Sequence, residues 1–128
     1  MKDLEFLEQF ESLKIPPEDF NHENHLRLAW YLSGQFVLPE AIDRMVNGIK
    51  RFARHAGAVD LYHETITLFY LYEISARRLQ LDKNHSWDDF KKHNPDLFAS
   101  HSDFMHQHYT ENILSSSAAK KHYIPPNL

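Results

Sequence analysis

Cysteine is absent from the 128-residue chain, which excludes disulfides, thiolate metal ligands, iron–sulfur clusters and cysteine nucleophiles. A reducing cytoplasm is the expected setting. Basic residues are not in excess: 14 Lys and Arg face 18 Asp and Glu, for a net charge of -4. That balance argues against a broad footprint for nucleic acid. No apolar run approaches the roughly 20 residues that span a bilayer, so no membrane segment is expected. The opening string MKDLEFLEQFESLK interleaves acids with apolar residues and reads as neither a signal nor a transit peptide. Glycine is scarce, with three in the chain. A chain of this length closes one core without a structural metal, so any metal is optional for folding. What the chain has in plenty is histidine, ten of them.

Few glycines and long stretches of helical period predict an all-α, single-domain compact bundle over residues 1–128, with about five to seven helices. Three of these are the main helices and the C-terminal ones are short. Leu4, Leu7 and Phe10 form a first helical stripe behind a cap at Asp3, ended by Pro16 and Pro17. A second helix is expected from Asn21 to Phe36. A third opens at Pro39 and runs to Ala53, with Gly57 as its stop. The fourth is expected from Asp60, as N-cap, to Leu79. Ser86-Trp87-Asp88-Asp89 resembles a capping box, and Asn94-Pro95 a cap followed by proline at the first helical position. A longer helix over Ser102–Leu114 and a last one capped by Ser115 complete the expectation.

On a helical wheel of about 100° per residue, His22 and His25 of the second helix share the side that carries Leu26, Ala29 and Ser33. Their i, i+3 spacing lets both rings converge on one point, as helical metal ligands do. On the fourth helix the same wheel places Glu64 with Leu61, Leu68, Leu71, Ser75 and Leu79, which marks it as a candidate buried carboxylate. Such a group needs a raised pKa, a cation or a metal. His63 falls on the adjoining face with Thr67, Tyr70 and Ile74. The string is not H-E-x-x-H, so a zincin protease is excluded. His22, His25, His63 and Glu64 are therefore the candidate metal ligands. Two histidines and a carboxylate suit iron(II), and three histidines suit zinc with a bound water. Diiron is disfavoured because paired Glu-x-x-His motifs are missing.

Gly48 inside the third helix costs about 1 kcal/mol relative to alanine, and close approach by a helix or a ligand would explain it. Arg51 or Arg44, on the same edge, is a candidate clamp for an anionic substrate or a partner for Glu64. His101 and His108 share a face with Phe104, and tyrosines of the core are able to place hydroxyls in a pocket.

The strings Phe20-x-His22-x-x-His25-Leu26-Arg27-Leu28-Ala29-Trp30, Gly48-Ile49-x-Arg51-Phe52-Ala53 and Tyr62-His63-Glu64-Thr65-Ile66-Thr67 resemble a family of small uncharacterised bacterial helical proteins. Asn94-Pro95-Asp96-Leu97 and the ending Leu114-x-Ser116…Pro125 extend the resemblance over most of the chain from Phe20 onward. It implies a self-contained helical domain and carries no activity with it. Two functional expectations follow from the residues. The first is a metal-binding protein or metal-dependent enzyme of iron or zinc, with Glu64, His63 and Arg51 acting on a small, anionic substrate. The second is a non-catalytic module for a ligand or protein partner, its His/Glu cluster a polar network that fixes helix packing. Neither expectation specifies an oligomeric state.

Overall fold

The computed structural model describes residues 2–81 and 84–128, and among these it contains nine α-helices and no strand. The helices are α1 (Asp3–Glu11), α2 (His22–Gln35), α3 (Leu38–His55), α4 (Glu64–Arg78), α5 (Trp87–His93), α6 (Pro95–Phe98), α7 (His101–His106), α8 (Glu111–Leu114) and α9 (Ser117–Lys121). The all-α expectation holds, and the three expected main helices are α2, α3 and α4. These three pack against one another, α1 lies across α2 and α3, and α9 closes on α4.

The wheel reading of α2 is correct for its apolar side: Leu26 and Ala29 have no exposed surface. Leu28, Leu32, Met45, Leu71 and Ile74 are equally inaccessible and form the seam of the three-helix centre. Helix α1 presses Phe10 onto α3 at Gly48, where an added Cβ would meet Phe10 Cε2 at 2.9 Å. That close approach accounts for a glycine inside a helix. At the far end of α2, Arg78 stacks 3.6 Å from the Trp30 ring centroid and donates to the Trp30 carbonyl. Arg77 ties α4 to α6 through paired bonds to Asp96 at 2.9 and 2.7 Å, with Glu73 and Asn94 as further acceptors.

Both α1 and α3 end in the same pair of backbone bonds. Gly57, at φ +69, donates to Arg54 while Ala58 donates to Ala53. Leu13, at φ 62, donates to Phe10 while Lys14 donates to Gln9. This is the Schellman arrangement, built on glycine at one helix and on a strained leucine at the other.

Four boundaries differ from expectation. Asp3 is the first residue of α1, behind Lys2, rather than its cap, and Phe6 takes the buried place expected of Leu4, which is exposed. Val59–Leu61 is a separate 3-10 turn, and α4 is capped by His63, whose ring accepts from the Ile66 amide, rather than by Asp60. The single helix expected over Ser102–Leu114 is interrupted after α7. There Tyr109 is fully buried with its hydroxyl donating to the Ile124 carbonyl at 2.6 Å, and the Thr110 amide donates to Asn127 Oδ1 at 3.0 Å. The returning C-terminal segment takes bonds that a continuous helix would need. Ser116, not Ser115, caps the last helix. Among the described residues, no helix is long and apolar enough to cross a membrane.

Candidate functional site

Asn21 accepts from the Asn24 amide at 2.9 Å and so starts α2 at His22. This puts His22 and His25 in the first turns of the helix, where their shared side faces a cavity of about 540 Å³. Phe20, Ile49, Phe52 and Ile66 supply apolar walls, while His22, His25, His63, His101, Tyr62, Tyr70 and Thr67 supply the polar groups. That size and mixture match a small-molecule site.

Each imidazole has a different standing. His22 Nε2 lies 2.9 Å from the Leu97 carbonyl on α6. A carbonyl can only accept, so Nε2 carries the proton and Nδ1 keeps its lone pair when the ring is neutral. The His22 ring sits 5.2 Å from those of both Tyr70 and His101. Tyr70 Oη and His101 Nδ1 are 2.8 Å apart and share a hydrogen bond. His63 Nδ1 accepts from the Ile66 amide at 3.2 Å and Nε2 donates to the Leu114 carbonyl at 2.9 Å, so both of its nitrogens are used. His25 is the exception. Its ring stacks beside Phe20 at 6.0 Å, and its Nε2 is buried with no hydrogen-bond partner among the described residues.

The electrostatics follow from that placement. Burial, and then the nearby rings of His22 and His101, push His25 down from an ordinary value of 6.5 to about 4. His101 is lowered by burial and by His22, His106 and His63. At neutral pH the cavity therefore presents uncharged imidazoles at His25 and His101. The Tyr70 and Tyr62 hydroxyls are both pushed up by burial, Tyr62 also by the Glu64 carboxylate that accepts its bond at 2.5 Å.

The residues singled out by sequence thus separate. His22, His25 and His63 meet at one cavity, whereas Glu64 stands behind Tyr62 and reaches that cavity only through the Tyr62 hydroxyl. Arg51 is exposed and donates to the Glu11 carbonyl at 3.0 Å, and Arg44 engages Glu11 and Glu40. Neither arginine touches Glu64 or lines the cavity. His101, Tyr62 and Tyr70 complete the site and were not chosen from sequence. The helical period already grouped Tyr70 and Thr67 with His63, but nothing local connects His101 to α2.

Among the described residues, no group of three or more His, Asp or Glu side chains is arranged to hold a metal ion. No family model, curated protein or solved structure matches the chain.

Proposed function

We propose that the protein binds a small organic molecule in the histidine cavity, and that the His25 ring turns on binding so that its Nε2, otherwise closed to solvent, becomes the central polar contact. The observation that carries this reading is that nitrogen: buried, unpartnered and on a cavity-lining ring. Leaving a buried polar atom unsatisfied costs about 1–3 kcal/mol, and a ligand with a hydrogen-bond donor removes that cost on binding. His22 and the uncharged His101 set the polar end of the site, and Phe20, Phe52 and Ile66 favour a flat apolar body. In this reading His63 and Glu64 hold the wall in place through the Leu114 carbonyl and the Tyr62 hydroxyl, and Arg51 has no part in binding.

Phenol is a suitable probe, because its hydroxyl can donate to His25 and its ring fits the aromatic wall. Titration followed by backbone amide shifts should perturb residues 22–25 and 62–67, and the His25→Phe variant should lose that response. Shifts scattered over the surface, or retained in the variant, would refute the assignment.

A metal centre is the second reading, and the orientation of His22 favours it. A ring whose Nε2–H is held by a carbonyl offers Nδ1 as a pre-set ligand. With His25 Nε2 and a rotated His101 it would give three nitrogen ligands for zinc or iron(II). Cobalt(II) titration separates the readings. A visible tetrahedral spectrum lost in His22→Ala supports the metal, whereas no spectrum beside phenol binding leaves the organic site standing.

A further inference from the structure

Behind the Tyr62 side of the histidine cavity lies a second cavity of about 320 Å³, lined by Lys50, Ala53, Arg54, Val59, Tyr62, Lys120 and Lys121. Four of its seven lining residues are cationic and none is acidic, in a chain whose net charge is -4. Lys50 and Arg54 come from the last turns of α3, and Lys120 and Lys121 from the end of α9. A cation at a helix C-terminus is favoured by the helix dipole alone. That preference does not explain why two such ends, distant in sequence, converge on one concavity.

Among the described residues, ion pairs engage Arg27, Arg44, Arg77, Lys91 and His106, and none of these four cations. Lys120 donates to the Asp60 backbone carbonyl, and Lys50 lies 5.2 Å from the Tyr62 ring centroid. Among the described residues, no carboxylate pairs with any of the four. Ala53 and Tyr62 line both cavities, so the cationic one adjoins the histidine one through a shared wall.

We infer that Lys50, Arg54, Lys120 and Lys121 form an anion site, and that the ligand of the histidine cavity is a soluble phosphate monoester whose phosphate rests among them. A phosphate dianion carries three terminal oxygens and calls for several donors, whereas a carboxylate is satisfied by one or two cations. The anion site stands on its own residues. Its linkage to an organic body rests on the reading of the histidine cavity given above.

Three probes and two variants test both parts separately by amide shifts and calorimetry. 4-Hydroxyphenyl phosphate, which keeps a phenolic hydroxyl for His25 opposite its phosphate, should bind at least about tenfold more tightly than inorganic phosphate, a difference of about 1.4 kcal/mol. The Lys50→Gln/Arg54→Gln/Lys121→Gln variant changes only exposed side chains and should keep its thermal midpoint. It should lose about tenfold or more for both phosphates while phenol binding is unchanged. His25→Phe should weaken phenol and 4-hydroxyphenyl phosphate and leave inorganic phosphate as it was. Equal phosphate binding by the triple variant overturns the anion site. An inorganic phosphate response at these lysines, with no gain from the hydroxyphenyl group, overturns the shared ligand while sparing the site. Sedimentation of the protein with vesicles containing phosphatidic acid, beside weak 4-hydroxyphenyl phosphate binding, overturns the soluble ester in favour of a lipid headgroup.

Discussion

The first turns of α4 have two faces with opposite polar economies. On one face Thr65 is fully buried, and its hydroxyl lies 2.6 Å from the Ala119 carbonyl and 2.8 Å from that of His122. The same oxygen accepts from the Ile124 amide at 3.1 Å. The two carbonyls share its one proton and a lone pair takes the amide, so the hydroxyl pins the C-terminal segment to the core. The other face, with His63, Thr67 and Tyr70, looks across the cavity toward His25, whose Nε2 has no partner. A protein that satisfies one buried hydroxyl with three contacts has the means to satisfy an imidazole. The contrast teaches that polar burial alone does not mark a site; a buried polar atom left unpaired on a ring that borders open space does.

Breaking the satisfied face should have the largest effect. Thr65→Val keeps the volume but removes the hydroxyl, stranding the Ile124 amide and two carbonyls. A loss of about 2–4 kcal/mol is expected, read as a lower midpoint in urea with an unchanged slope. A loss under about 0.5 kcal/mol would mean that the tail is held by Tyr109 and Tyr123 instead.

The unsatisfied face should show itself next, through acid. Because His25 titrates near 4 in the folded protein against 6.5 as its ordinary value, the unfolded chain takes up a proton first as pH falls. The contribution is thus fully present above about pH 6.5 and is lost between there and about pH 4, with His101 acting in the same direction. His22 on the same helix and His101 from α7 are the titratable groups that act on it, and the Tyr70 hydroxyl from α4 is bonded to His101. A loss on the order of 2–3 kcal/mol across that range is expected. His25→Phe should remove most of this slope. At pH 7 the same variant should gain about 1 kcal/mol by deleting the orphan nitrogen while losing the phenol response. A variant destabilised at pH 7 would place His25 among the structural residues.

The helices were legible because amphipathic period is a local property. It turns Leu26 and Ala29 inward, and His22 and His25 follow them because they share that arc. The start of α4 was not legible, since the cap is an imidazole nitrogen and histidine is not a usual capping residue. That error carried into Glu64. Its supposed stripe included Leu61 and Leu79, which are 80% and 86% exposed, the first lying in the turn before the helix and the second past its end. His101 and the lysines of α9 could not be found by any local rule, because only the return of the C-terminal segment brings them to α2 and α3.

The smallest effect is expected where a histidine is paired but lies in open water. His106 Nε2 sits 2.5 Å from Glu111 Oε2, both side chains exposed, and the Glu111 carboxylate holds the imidazolium above its ordinary range. A raised folded value stabilises the protein below the unfolded pKa and fades as pH rises through the folded one. Solvent screens the pair, so this linkage should not be visible in a denaturation curve. The Glu111→Gln variant should therefore leave the urea midpoint unchanged while the His106 titration, followed by its ring proton shifts, moves down toward 6.5. Because His25 and His106 are shifted in opposite directions for different physical reasons, one ring-proton titration distinguishes them. If Glu111→Gln lowered the midpoint as Thr65→Val is expected to, the division between satisfied, unsatisfied and solvated histidines would fail at its simplest member.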